Sequence, residues 1–186
     1  MSIVYSMLSI QSNAKQRKVI LKLLAAIASL DSSLSRELLI HLSLQQQTLE
    51  NLVQQTKPMD SQSVRTCFIH FVLAFLVEGN ALVIRTLLDK RNLLCCIFSE
   101  LLYDSKDIVT LVLTTVKTYV LENTDVSKTT KLHVFSTSTV LNLISLYNWK
   151  GPNNWPKNKT HSCDDSENFL ADKEVILNLI MNYYKL

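Results

Sequence analysis

The sequence predicts an all-α fold built from stacked helices, on three observations. Apolar residues recur at helical spacing along most of the chain. Only 2 Gly and 3 Pro occur in 186 residues. Sandwiches, barrels and parallel sheets with phosphate loops need more turn residues than that, whereas helical hairpins with short polar corners do not. The stretch Val64 to Leu88, VRTCFIHFVLAFLVEGNALVIRTLL, reads as a mostly apolar helix, a Glu-Gly-Asn corner and a second helix. The first of these carries Phe68, Ile69, Val72, Leu73, Phe75 and Leu76 along one broad face. A helix this apolar must be covered on most sides, so it is the inner helix of a stack. At the corner, Gly79-Asn80 signals a turn, because Gly accepts positive φ without a Cβ clash and Asn80 can cap the following helix.

The other elements follow in order. Ser12 to Ser29 reads as an amphipathic helix with Val19, Ile20, Leu23, Leu24 and Ile27 on its apolar face, and Lys15, Arg17, Lys18 and Lys22 at its solvated start. Asp31 or Ser32 caps a helix from Ser33 to about Leu42, with Leu34, Leu38, Leu39 and Leu42 inward. A third short helix, Leu44 to about Gln55, ends at Lys57-Pro58, since the residue before proline avoids helical backbone. Asp60 caps the long apolar helix, which runs to about Val77. Asn80 to Asp89 and Asn92 to about Leu102 come next. Asp104 or Ser105 caps Lys106 to Leu121, whose Ile108, Val109, Val112, Leu113, Val116 and Val120 point inward. Its Val and Thr content would allow a strand, but its period is nearer 3.6 than 2 and its length exceeds that of a usual strand. Val126 to Val134 and Thr137 to Tyr147 give two more short helices. Asn148 to Asn168 is polar and without period, which reads as a surface loop or disordered insertion. Leu170 to Tyr184 resumes as helix.

Together these elements predict an armadillo/HEAT-like helical-repeat solenoid fragment with degenerate repeats. Residues 1–147 form the helical-repeat domain, 148–169 the polar loop and 170–186 a further helix. The chain closes on Tyr183, Tyr184 and Leu186 without a polar cap, which predicts a piece of a longer array.

Composition narrows the function classes. Hydrophobic residues at 47% and charged residues at 19% are enough to bury a core, so the chain is not disordered overall. The formal net charge of +3 permits contact with RNA without demanding it. Cys67, Cys95 and Cys96 lie in apolar helical patterns, and with Cys163 they make no disulfide framework and no zinc knuckle. That favours a reducing compartment. The N-terminus is apolar first and basic afterwards, the reverse of a secretory signal. The apolar run Cys67 to Val77 contains His70 and is shorter than the ~20 residues a bilayer requires.

No catalytic constellation emerges. His41, His70, His133 and His161 fall on different elements, and His70 reads as a core or groove histidine. Neither a nucleophile elbow nor a P-loop nor a kinase signature occurs. His161-Ser162-Cys163-Asp164-Asp165 lacks the second Cys or His pair that a tetrahedral metal site needs, and vicinal Cys95-Cys96 read as core fillers. The sequence therefore predicts no enzyme, no cofactor, no metal and no small-molecule substrate. The basic groups carry more weight. Lys15, Arg17, Lys18 and Lys22 cluster at one helix start, and Arg85, Lys90 and Arg91 surround a helix corner. Lys150 lies in the polar loop beside Trp149 and Trp155, where aromatics can stack bases while lysines neutralise phosphates. These ten residues are the candidate RNA or partner contacts. A charged outer face and a solvated loop are the plainer readings of the same residues.

Several segments resemble the amino-terminal region of the nucleolar pre-ribosomal-associated protein 1 family. They are KVILKLLAAIASLDSSLSRELL, RTCFIHFVLAFLVEGNALVIRTLLDKRNLLCCIF, LLYDSKDIVTLVLTTVKTYVLENTDVSKTTKLHVF and LISLYNW, and the likeness spans roughly Ser12 to Trp149. Their order is more specific than any one of them. The resemblance implies a large helical-repeat scaffold in the nucleus and nucleolus. Such a scaffold acts on early precursors of the large ribosomal subunit, with precursor rRNA and assembly factors as partners and no membrane. The competing expectation is a generic armadillo-like adaptor that binds a peptide or helix and has no RNA role.

Overall fold

The computed structural model describes residues 13–44, 62–79, 81–91, 93–148 and 174–181. These residues are helical with short corners, and no strand occurs among them. The expected third helix near Leu44 to Gln55, the caps at Asp60 and Asn80, and the polar stretch from Trp149 onward lie outside the described residues.

Helix α1 is Ala14–Leu30 and opens on a reciprocal cap. Asn13 Oδ1 accepts the Gln16 N–H at 2.9 Å, and Gln16 Oε1 accepts the Asn13 N–H at 3.1 Å. Asp31 ends α1 and caps α2, Ser32–Leu44, accepting from the Ser33 N–H at 3.0 Å and the Ser33 hydroxyl at 2.7 Å. Helix α3 is Gln62–Val77, α4 is Ala81–Arg91 and α5 is Leu93–Ser99. The segment expected as one helix to Leu102 breaks after α5 and resumes as a 3-10 turn, Leu101–Tyr103. Helix α6, Lys106–Val116, runs into a wider π turn, Lys117–Leu121, closed by the Glu122 N–H on the Lys117 carbonyl at 2.9 Å. Helix α7, Lys128–Val134, is capped by Ser127, whose hydroxyl accepts the Thr130 N–H at 3.1 Å. Helix α8 is Thr137–Asn148, and α9 covers 174–181.

Helix α3 is the hub. It packs on α1, α4, α5, α6 and the π turn. All six of its predicted inward residues are buried, as are Cys67, Phe71 and Ala74. Each large apolar side chain withdrawn here stabilises the fold by roughly 1.5–3 kcal/mol. Phe71 and Phe75 meet edge to face with ring centroids 5.0 Å apart, the geometry the ring quadrupoles favour. Among the described side chains of α3, the open line runs through half-buried Thr66, exposed His70 and exposed Val77. His70 is thus a surface residue and not the core or groove histidine expected.

Neighbours beyond α3 fall into two rows. One row stacks α1 on α3 and α3 on α6; the other stacks α2 on α4 and α4 on α7. Packing of α1 on α2 and of α3 on α4 ties the rows together, and α5 packs on α8 at one side. The inward set of α6 matches expectation, with Ile108, Val109, Val112, Leu113 and Val116 buried, and Val120 following in the π turn. The inward set of α1 matches in Ile20, Leu24 and half-buried Ile27 but not in Val19 and Leu23. Ile20, Leu21, Leu24 and Ala28 are buried, whereas Val19 is 67% and Leu23 49% exposed. The run from Val19 to Ile27 is apolar around most of its circumference, so periodicity alone does not fix its rotation. Helix α1 packs on α3, and the side it buries carries Ile20, Leu21, Leu24 and Ala28.

Two local features fix the geometry. Arg65 of α3 is buried and grips Asp104 through Nε to Oδ1 at 2.8 Å and Nη2 to Oδ2 at 2.7 Å, while Nη2 also donates to the Ile97 carbonyl at 3.1 Å. Asp104 is therefore not the cap of α6. Ser105 holds the cap position and makes no side-chain hydrogen bond there. Gly79 is needed for space, not for positive φ, since its φ lies outside the left-handed region. A Cβ at this position would collide with the Phe75 carbonyl and lie 2.9 Å from Val83 Cγ1.

Gly79→Ala should therefore lower Tm by several degrees, because the obstacle is backbone that cannot rotate away; an unchanged melt would remove the steric argument. Asp104→Ala should cost about 3–5 kcal/mol by stranding a buried guanidinium, while the joint Arg65→Met, Asp104→Leu change should recover most of that loss. Urea unfolding of the two variants against the parent chain checks both statements.

Candidate nucleic-acid interface

The basic residues of α1 divide by helical rotation. Lys15, Lys18 and Lys22 recur at three- and four-residue steps and share one side. Lys15 and Lys22 are exposed and Lys18 is half-buried. Arg17 is half-buried and lies on the turn that leads to Ile20, Leu21 and Leu24. It points away from the lysine side and engages a neighbour, so the four do not form one solvated cluster. No acidic residue occupies the first turn of α1, which leaves the positive end of the helix dipole beside Lys15. The exposed Val19, Leu23 and Leu30 form a neighbouring stripe, about a quarter turn further round α1. The result is a mixed face with cationic heads at its amino end and aliphatic surface along its length.

Arg85 is exposed on α4, in the opposite row. Side chains of Lys90 and Arg91, and the whole of Trp149, Lys150 and Trp155, lie outside the described residues. The structure does not bring Arg85 to the lysine face of α1. It places Arg85 instead on a cleft of about 310 Å³ between α4 and α7, lined also by Ser127, Thr129, Thr130 and His133. Sequence reasoning passed over these partners. The only signal available was the Ser-x-x-Thr cap followed by a histidine one turn later.

Other cations serve the fold. Lys131 Nζ donates to the Leu121 carbonyl at 2.8 Å and closes the π turn. Lys117 sits 3.6 Å from Glu122 on the same turn, a partly exposed pair that contributes little. Cys67 is buried, and Cys95 and Cys96 are half-buried free thiols. Burial raises both the Cys95 and Cys96 thiol pKa above the ordinary range; for Cys95 a hydrogen bond from the Thr139 hydroxyl works against it, and for Cys96 neighbouring Cys95 adds to the rise while Arg65 opposes it. Groups in this state are poor nucleophiles. Among the described residues no three His, Cys, Asp or Glu side chains come together as a metal site, and no helix is long and apolar enough to cross a membrane.

The family described as "Npa1: Ribosome 60S biogenesis N-terminal" matches residues 1–173. The chain belongs to the Npa1 family. That match reaches beyond Trp149, where the visible resemblance stops. Nucleolar pre-ribosomal-associated protein 1 of Homo sapiens is 27% identical over 173 residues, covering 92% of this chain and 8% of the relative. Its Mus musculus counterpart is 28% identical over 141 residues, 75% of this chain and 6% of the relative. The chain thus spans under a tenth of the length of the Npa1 relatives it matches. No solved structure matches it.

The raised thiol pKa values have a pH consequence for this Npa1 chain. A folded pKa above the unfolded one means the folded state holds its proton longer, so stability is fully present below the ordinary thiol range and falls as pH rises through it. Tm should accordingly drop between neutral pH and pH values above the thiol range, and a Cys95→Ser, Cys96→Ser chain should show a smaller drop. An identical drop in both chains would remove the thiols as its source.

Proposed function

We propose that this chain is part of a non-catalytic helical-repeat scaffold acting in early large ribosomal subunit (60S) assembly and rRNA processing in the nucleolus. Membership of the Npa1 family is the observation that carries the reading. The two rows of helices, each stacking on the next in its own row, support a solenoid of the armadillo/HEAT kind. An array of that kind offers a long surface on which weak contacts add up to specific assembly. Both relatives are named as nucleolar and pre-ribosome-associated. The chain acts in the nucleus and nucleolus, with the precursor of the large subunit, its RNA and its assembly factors, as partner. Lys15, Lys18 and Lys22 are the α1 residues best placed to meet phosphates.

A second reading draws on one specific feature. Val19, Leu23 and Leu30 lie exposed in a stripe beside the lysines of α1, and an apolar stripe of this type also suits a protein helix laid along it. The two differ in salt dependence, because phosphate neutralisation releases counterions and apolar packing does not.

Binding of single-stranded RNA by the 186-residue chain should weaken linearly on a log–log plot against salt. The Lys15→Gln, Lys18→Gln, Lys22→Gln variant should flatten that slope by about 2, at roughly 0.7 for each phosphate no longer neutralised. A flat salt response would sink the RNA role and favour the adaptor. Tagged chain recovered from cells with large-subunit precursor RNA, and losing it on ribonuclease treatment, is the expected cellular result.

A further inference from the structure

We infer that the outer side of α1 is a docking seam for an amphipathic helix with acidic flanks. The inference rests on the second reading above, a protein helix laid along α1, and names the chemistry of that helix. Val19, Leu23, Ala26 and Leu30 follow one another at steps of four, three and four residues, the spacing of alternating a and d positions in a heptad. At 3.6 residues per turn they fall within about 60° of one another round the helix. All four are exposed. Helix α1 packs on α2 and α3 and buries Ile20, Leu21, Leu24 and Ala28, which lie on its other side. Gln16 is next on the same line, but its side chain is committed to the Asn13 N–H at 3.1 Å, so the seam begins at Val19. From Val19 to Leu30 it runs about 16 Å, or three turns.

Spacing selects the shape of the occupant. A line of apolar knobs recurring every 3.5 residues matches another helix lying almost parallel, whose own a and d side chains fill the gaps. Charge selects its flanks. Lys15 and Lys22 stand seven residues apart, at g positions on one edge of the seam, and both are exposed. Helix α1 contains no Asp or Glu of its own. Its other edge carries Ile20 and Ile27, buried and half-buried, so the cations border one side only. Lysines at g favour a helix that sets carboxylates opposite them. RNA suits this surface less well. The seam offers no aromatic ring to stack a base, and its aliphatic middle gains nothing from a phosphate. A second copy of α1 laid antiparallel would bring lysine edge to lysine edge, which repels.

The test uses the whole 186-residue chain and a fluorescent three-heptad peptide with Leu at a and d and Glu at e and g. Repulsion among its carboxylates keeps this peptide from pairing with itself at neutral pH. A control peptide carries Lys in place of Glu. The parent chain should bind the Glu peptide about ten-fold more tightly, because each of the two lysines exchanges an attractive pair for a repulsive one. Lys15→Glu, Lys22→Glu should reverse the order. Leu23→Asp, and separately Val19→Asp, should weaken both peptides by about ten-fold or more, with melting curves matching the parent chain. Equal binding of the two peptides would overturn the acidic partner and leave the helix reading standing. Unchanged binding in folded Leu23→Asp and Val19→Asp would overturn the seam. If neither peptide binds, while a mixed-sequence oligoribonucleotide binds through Lys15 and Lys22, both the inference and the helix reading fall and the edge belongs to RNA. A parent chain that sediments as a dimer, and becomes a monomer in Leu23→Asp, would also overturn the proposal and give the seam to a second copy.

Discussion

One desolvated ion pair sets the arrangement of this fold. Arg65 reaches from α3 to Asp104, and the same guanidinium holds the Ile97 carbonyl at the end of α5. Three segments with no common turn are thereby locked: the hub helix, the end of α5 and the corner that launches α6. The side chains are only 3% and 2% exposed, so each charge depends on the other for nearly all its solvation. Apolar residues of equal volume would pack here without that penalty. What the pair adds is position. Its directed bonds tolerate one relative placement of α3 and α6, whereas aliphatic surfaces tolerate several. The break after α5 lies between the Ile97 carbonyl and Asp104, the two groups that Arg65 holds.

Around that lock, the hub does the rest by volume. A helix buried on nearly every side must be met closely by its neighbours, and Gly79 shows how closely. The chain turns from α3 into α4 where Val83 lies against the last turn of α3, leaving no room for a methyl group. Ser35, fully buried on α2 with its hydroxyl unpartnered, fits the same pattern. Its burial leaves one polar group of α2 unsatisfied.

Much of the helix order was legible in the sequence because α3 is a long apolar run, α6 repeats nearer 3.6 than 2 over more than a strand's length, and turn residues stand near their ends. The residues named inward on both are buried, while Phe71, Cys67 and Ala74 of α3 and Thr115 of α6 are buried without having been named. The rotation of α1 was not legible, since Val19-Ile20-Leu21 and Leu23-Leu24 offer two equally apolar stripes and only the shape of α3 chooses between them. The ion pair was not legible either. Its members stand 39 positions apart, and Asp104 ahead of Ser105 looks like any helix cap. The cleft had the same difficulty. Arg85 was visible as a surface cation, but Ser127, Thr129 and His133 become its neighbours only because α4 stacks on α7.

Burial sorts the basic side chains into two kinds, and the sorting bears on function. Arg65 and Lys131 are committed to a carboxylate and to backbone carbonyls, and their loss would be felt as instability. Lys15 and Lys22 on one row, with Arg85 and His133 on the other, lie on outer surfaces where a single contact is worth little in salt water. Isolated, such groups would hold RNA only weakly. In the proposed scaffold, such groups repeated along a rigid stack would meet one strand at fixed separations, and the second contact would then form at high effective concentration. The rigidity that α3, Arg65 and Gly79 impose is what keeps those separations fixed. For the scaffold role proposed here, cations that cannot drift relative to one another would be enough, and the buried pair is a constraint of that kind.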